Sequence, residues 1–186
     1  GVRVVVDAKV VDKDVNLPEK RSTSADTLEA DALAVLSDLN HTSQKGLQTI
    51  FDSSVGRSTV NQPLGGRYQI TPTEASVQKL PVQHGVTHTA SIIAQGYHPY
   101  LAEWSPYHGA AYAVVEATAR LVAVGANWSK ARFSYQEYFE RMDKQAERFG
   151  QPVSALLGSI EAQIQLGLPS IGGKDSMSGT FEELTV

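Results

Sequence analysis

Between Gly109 and Val124 the chain carries Gly109, Ala110, Ala111, Ala113, Ala117 and Ala119 among larger apolar residues, and only Glu116 and Arg120 are charged. A helix this apolar around its whole circumference must be covered on several sides. Its small side chains let its backbone approach a neighbouring element closely. Valine-rich strand patterns and further helices alternate with it along the chain. The predicted class is therefore α/β (α+β, two-layer), a mixed β-sheet covered by helices. Strand order does not follow from the pattern.

The 186 residues are 41% hydrophobic, enough to bury a core, and predict one globular domain over 1–186. A net charge of −4 and a pI near 5.7 argue against a nucleic-acid footprint. The absence of cysteine excludes disulfides and thiolate metal sites. No signal peptide and no membrane-length apolar run is present, so the expectation is a soluble cytoplasmic chain without a membrane partner. Gly1 lies inside a strand-like run, and Leu184-Thr185-Val186 reads as the start of another. The expectation is a domain of a longer, multidomain polypeptide.

Val2 to Val11 reads as a strand or a strand pair, and Lys13 to Ser24 as a loop. Ser22 or Ser24 can cap a helix with Leu28, Ala32, Val35, Leu36 and Leu39 on its inward face. Thr42 or Ser43 can cap a shorter helix to about Phe51. From Asp52 to Thr89, prolines and glycines predict short strands and long loops, with Leu80 to Gln83 extended. Ala90 to Ala94 reads as a buried strand closed by Gly96 and Pro99.

After the alanine-rich helix, Ser134 and Glu137 have capping-box spacing. Tyr138, Met142, Ala146 and Phe149 then repeat at helical spacing, with Gly150 at the C′ position. Pro152 suits the first turn of a last helix. Val153, Leu156, Leu157, Ile160 and Ile164 face inward there, and Gly167 ends it.

Pro169-Ser170-Ile171 then predicts a buried strand leaving into the glycine-rich loop Gly172-Gly173-Lys174-Asp175-Ser176-Met177-Ser178-Gly179. Paired glycines allow a tight turn and close approach to a ligand. Lysine, aspartate and two serines suit phosphate or Mg-nucleotide contact. The order is not that of a Walker A loop: Asp175 follows Lys174, and the glycine spacing is off by one. A plain surface turn is the alternative.

Glu116 poses an electrostatic problem, since an ionised carboxylate on an apolar helix needs a cation, water or a proton. Mg²⁺ would answer it, because hard cations take oxygen ligands. An i,i+4 pair with Arg120 would answer it equally well. Asp52, before Ser53-Ser54 and Gly56, suits either a metal ligand or an Asx-turn. His84 and His88 stand four apart without a zinc motif and read as exposed or satisfied histidines. His98 and His108 have no partner at a recognisable spacing. Trp104 and Tyr107, beside Pro106, read as packing a turn against the core. Arg57 and Arg67, among glycines, are candidate phosphate contacts or ordinary surface charge.

Taken together, four segments resemble the long-chain form of phosphoribosylformylglycinamidine synthase, the ATP-dependent amidotransferase of purine synthesis. Leu168 to Ser178, with its Gly-Lys-Asp-Ser-Met-Ser string, is similar to that family's second synthetase half. Asp52-Ser53-Ser54-Val55-Gly56 resembles the family's aspartate-containing turn. His41-Thr42-Ser43-Gln44-Lys45 resembles the residues that open the helix before it. Glu116 lies on the corresponding alanine-rich helix ahead of Gly125-Ala126. The resemblance covers essentially the whole chain.

The resemblance implies a domain of the ligase that converts formylglycinamide ribonucleotide, ATP and glutamine to formylglycinamidine ribonucleotide. The implied fold is like the N-terminal domain of aminoimidazole ribonucleotide synthetase, and the chain would be the N-terminal-type domain of the second half. The implied partners are the remaining synthetase domains and the glutaminase domain of the same polypeptide, with a homodimer through the sheet also compatible. The glutaminase needs a nucleophilic cysteine, which this chain lacks. Mg-ATP or ADP is the implied cofactor, including an auxiliary structural nucleotide. Gly172, Gly173, Lys174, Asp175 and Ser176 would contact it, and Asp52 and Glu116 would ligate Mg²⁺. One departure stands out: the family often has an asparagine ligand one turn after the glutamate, and here that place is Arg120. A guanidinium cannot ligate Mg²⁺ and competes with it for the carboxylate. Two readings stay open: a ligand-contributing domain, or a pseudo-symmetric scaffold without a ligand of its own. Selenophosphate synthetase and thiamine-phosphate kinase, which share the unit, fit less well because their loops lack this string.

Overall fold

The computed structural model describes Ser24, 26–43, 45–50, 57–142, 144–178, 180–181 and 184–185. The fold is α+β, with short two-stranded sheets and helices. The described residues fall into two compact units, one within 14–91 and the other within 92–186. The expected strand at Val2 to Val11, the loop from Lys13 with Ser22, and the Asp52 turn lie outside the described residues.

In the first unit, α1 (Leu28–Ser37) forms at the expected place. Ser24 does not cap it. Thr27 is the boundary residue, and its amide and hydroxyl both donate to the Ser24 carbonyl. The expected inward face is not buried: α1 has no buried residue. A short 3₁₀ turn (Leu39–His41) follows, then α2 (Lys45–Ile50), where the Ser43 hydroxyl accepts the Lys45 amide as a cap should. The loop-rich stretch holds β1 (Leu64–Gly65) and β2 (Thr71–Pro72), an antiparallel pair, and β3 (Ala75–Lys79). Ala75 and Val77 of β3 are buried. Residues 58–60 run beside them through Val60 N–H to Val77 O and Lys79 N–H to Ser58 O, both 2.8 Å. β4 (Ala90–Ala94), which runs across the boundary between the units, is the hydrogen-bonded neighbour of β3; the strand forms where expected but is not buried, with Ile93 73% exposed.

In the second unit, α3 (Pro99–Trp104) and α4 (Pro106–Ala123) meet at Ser105. His98 caps α3 by accepting the Leu101 amide on Nδ1, and the Ser105 hydroxyl caps α4 by accepting the His108 amide. Each cap is followed by a proline, whose missing N–H costs nothing at a helix start. The Trp104 and Tyr107 rings both pack on the His108 ring, with centroids 5.2 Å away. After a 3₁₀ turn (Trp128–Lys130) come β5 (Phe133–Phe139), α5 (Ala146–Leu166), β6 (Ser170–Met177), and the small antiparallel pair β7 (Thr180–Phe181) and β8 (Leu184–Thr185).

Several expectations for this half are corrected. Val153, Leu156, Leu157, Ile160 and Ile164 do not form the buried face of the last helix: Leu156, Leu157, Ile160 and Ile164 are 40–74% exposed, and the buried residues are Gly150, Ser154, Ala155, Gly158, Ser159 and Ala162. The stretch from Ser134 is a strand and not a capped helix. Phe133, Tyr135, Tyr138 and Phe139 favour a pleated backbone, and alternate residues of β5 are shielded and exposed. Gly150 and Pro152 do not separate two helices: both lie inside α5, with Gly150 buried. The Gly172 to Ser176 segment is not a loop. It forms most of β6, paired in parallel with β5 from Ser134↔Gly172 to Phe139↔Met177, and the part of the strand expected to be buried, Ser170-Ile171, is exposed, with Ile171 at 77%. Its glycines serve the sheet. The register shifts by one at Ile171, and Gly172 takes φ 155° beside that bulge.

Parallel strands need a crossover, and α5 supplies it. Gly167 ends α5 in the left-handed conformation, φ 68°, and passes the chain to the buried Leu168. α4 and α5 pack together, and the buried residues are Val114, Ala117 and Thr118 on one helix and Ser154, Ala155, Gly158, Ser159 and Ala162 on the other, while Gly109 lies against Ala102 of α3. α4 is not covered all round as expected, since Tyr112, Val115 and Val122 are 49–56% exposed. Gly158 sits against the Tyr107 backbone so closely that any Cβ would overlap its carbonyl. Gly158→Ala is therefore expected to destabilise the fold by about 1–3 kcal/mol through forced separation of α4 and α5. Gly46→Ala, with open space around the new methyl, is expected to be neutral or stabilising by up to ~1 kcal/mol. Urea denaturation of the two variants checks this, and equal midpoints would contradict the packing account.

Candidate functional site

Glu116 lies on α4 with its side chain 34% exposed, and Arg120 one turn later is 28% exposed. One carboxylate oxygen accepts Arg120 Nη2–H at 2.8 Å. The other accepts the Tyr97 backbone N–H, also at 2.8 Å. Arg120 Nη1 donates to the Gln95 carbonyl at 3.0 Å. Two side chains of the helix thus hold two backbone groups of the segment leaving β4.

Gly96, between those two backbone groups, makes this possible. A Cβ there would come 2.7 Å from Ala117 N and overlap the Ala113 carbonyl. Only a glycine lets the segment lie flat on α4 between Ala113 and Ala117. The need for this glycine comes from the close approach, and a loop position in the sequence does not reveal it.

A cation at Glu116 is a poor fit to this arrangement. Both carboxylate oxygens already accept charge-assisted or backbone hydrogen bonds, and the nearest cation is a guanidinium that cannot ligate metal. Among the described residues, no group of three or more His, Asp or Glu side chains could hold a metal ion. Asp52, the other expected ligand, is outside the described residues.

The glycine-string residues gather on β6. Lys174 and Asp175 are exposed, and Ser176 is half-buried. The Lys174 carbonyl accepts Gln136 Nε2–H at 3.3 Å. Gly173 lies against Tyr135, where a Cβ would meet its carbonyl at 2.8 Å. At the end of the pair, the Ser178 amide donates to the Phe139 carbonyl, and its hydroxyl accepts the Arg141 amide. Arg148 on α5 pairs with Glu140 at 3.2 Å and donates to the Arg141 carbonyl. The bonded partners of Glu116 described above come from α4 and the segment after β4, and none is on β6.

Sequence reasoning did not foresee Glu137. It pairs in register with Asp175, so the two carboxylates share one side of the parallel ladder. Burial, and then the Asp175 charge, raise the Glu137 pKa above the usual carboxylate range. On the same side of β5, burial pushes the Tyr135 hydroxyl up to about 12; the Ser159 hydroxyl acts in the opposite sense, and the Glu137 charge adds to the rise. The Tyr135 hydroxyl oxygen is shielded from solvent and makes no hydrogen bond of good geometry. Ser159 is therefore near it without bonding to it, its own hydroxyl donating to the Leu156 carbonyl at 2.8 Å. The signal for this group was the even spacing of Tyr135, Glu137 and Phe139, masked by the capping-box match.

The remaining candidates have surroundings of their own. His84 and His88 are exposed, and His98 and His108 serve helix starts. Arg67 lies over the Tyr68 ring, 5.7 Å from its centroid. Arg57 takes a positive φ of 58° on the surface.

Comparison of the sequence with protein families and with curated proteins gives no match. Among solved structures, the fold is similar to that of a chain in the structure of PurLQS from Thermotoga maritima. The TM-score is 0.60 at 18% sequence identity, over 78% of this chain and 22% of that one. This chain therefore matches a minor part of a much longer one, and the likeness is one of fold.

Proposed function

We propose that this chain is a domain of an ATP-dependent carbon–nitrogen ligase of the phosphoribosylformylglycinamidine synthase type, and that its α4 carboxylate is a structural anchor in place of a metal ligand. The Gly-Lys-Asp-Ser-Met-Ser string supports the family reading, and the fold likeness to PurLQS, a synthase of that kind, agrees with it. The observation that carries the anchor reading is the closed pairing of Glu116 with Arg120 and Tyr97 N–H. On this reading the chain is a scaffold for neighbouring synthetase domains. Amide transfer from glutamine depends on a cysteine carried elsewhere, since this chain has none.

A second reading keeps a ligand at β6. The observation favouring it is the Glu137–Asp175 register pair beside Lys174. Two carboxylates held side by side repel each other, and a divalent cation or the Mg²⁺ of a nucleotide would relieve the repulsion.

Two experiments test these readings. For the anchor, the melting temperature is measured with ADP and Mg²⁺ added separately and together. The expected result is no stabilisation that needs both, and an Arg120→Ala variant less stable by about 1 kcal/mol, a modest loss because the pair is partly solvated. Stabilisation by Mg-ADP that disappears in Glu116→Ala would contradict the anchor.

For β6, the Glu137 pKa is followed by carboxyl NMR. Its folded-state pKa is raised, so the folded state holds a proton more tightly than the unfolded chain. Stability contributed by this group is present below the unfolded value, about 4.3, and is lost as pH rises through the higher folded value. Glu137→Gln is expected to flatten that decline. Asp175→Asn is expected to lower the Glu137 pKa without restoring it fully, because burial is the larger cause. A further drop on adding Mg²⁺ to the unmodified chain supports the ligand reading. No response to Mg²⁺ leaves the scaffold.

A further inference from the structure

In the first unit, α1 has no buried residue, and Leu28, Leu33, Val35, Leu36 and Leu39 are between 53% and 81% exposed. Leu28, Ala32, Val35 and Leu36 recur at helical spacing and make one stripe on α1, and Leu39 follows in the 3₁₀ turn. Behind it the helix offers Ala30, Ala34 and the one hydroxyl of Ser37, not a charged face. A helix this apolar is ordinarily covered, and an exposed apolar patch of this extent marks an interaction surface.

The charges say what covers it. From Ser24 to Ser43 the chain carries Asp26, Glu29, Asp31 and Asp38 and no lysine or arginine. At helical spacing, Glu29 falls on one border of the stripe and Asp31 on the other; Asp38, past the helix end, lies 3.6 Å from His41 Nδ1. A second copy of this helix laid parallel on the stripe would set Glu29 against Asp31 on both borders, without a compensating lysine or arginine. An anionic bilayer would be repelled in the same way. The complementary surface is an apolar ridge bordered by cations.

We infer that the α1 stripe is the docking face for a basic amphipathic helix of a partner protein, its leucines seated on Leu28, Val35, Leu36 and Leu39 and its lysines or arginines against Glu29 and Asp31. The inference does not depend on the ligase reading. Apolar contact supplies the affinity, and the bordering acids select the partner's charge.

The test uses the full chain and two labelled helical peptides that share one leucine stripe, one bordered by lysines and its twin by glutamates. Fluorescence anisotropy is expected to show the lysine peptide binding at least about tenfold more tightly than its twin, with the gap closing as salt is added. The double variant Glu29→Lys, Asp31→Lys is expected to reverse that order. Leu36→Asn is expected to abolish binding while leaving the unfolding midpoint unchanged, since Leu36 is 70% exposed. Equal binding of both peptides, or of neither, overturns the inference. So does a dimer in sedimentation, or adsorption to phosphatidylserine vesicles, that Leu36→Asn removes, since the occupant is then a second copy or a bilayer.

Discussion

The second unit depends on how one carboxylate is satisfied. Glu116 stands on a helix whose other residues favour burial, and an unpaired anion there would oppose the packing. Arg120 supplies the charge, and the Tyr97 amide supplies the second hydrogen bond. Arg120 also reaches the Gln95 carbonyl. The pair therefore solves two problems together: it neutralises the helix, and it satisfies backbone groups of a segment that has left its strand. Because both side chains keep partial contact with water, the pair fixes geometry more than it contributes stability.

Close backbone approach is the second constraint, and glycine meets it at each point. Gly96 admits the segment onto α4, and Gly158 brings α5 against Tyr107. Gly173 brings β6 against Tyr135. These contacts leave little room for large side chains, and the buried residues of α4 and α5 are accordingly small. The glycine string at β6 belongs to the same economy of space. Its glycines accommodate a bulge and a neighbouring tyrosine, while Lys174 and Asp175 remain on the surface.

Much of this was legible in the sequence, and the failures have physical causes. The alanine-rich helix, the Ala90–Ala94 strand, the Gly167 stop and the Glu116–Arg120 spacing are local signals, and each appears in the structure. β5 was misread because Ser134 and Glu137 satisfy a capping box, while the feature that makes the segment a strand is a partner far along the chain. Gln136 and Lys174, which meet across the ladder, are 38 positions apart. The glycine string was misread for the same reason, since paired glycines signal a turn until a neighbouring strand is known. The Glu137–Asp175 pair followed from neither segment alone. The leucine stripe of α1 was found, but periodicity alone cannot tell a face that meets its own core from one left exposed.

The claim on which the account turns is that the positive companion of Glu116 is a guanidinium. Crystals of the chain soaked in Mn²⁺ and ADP, with anomalous scattering recorded, test it most directly. The account predicts Arg120 density bridging Glu116 and the Gln95 carbonyl, and no manganese peak at the carboxylate. A manganese ion bound to Glu116 with Arg120 turned away would contradict it.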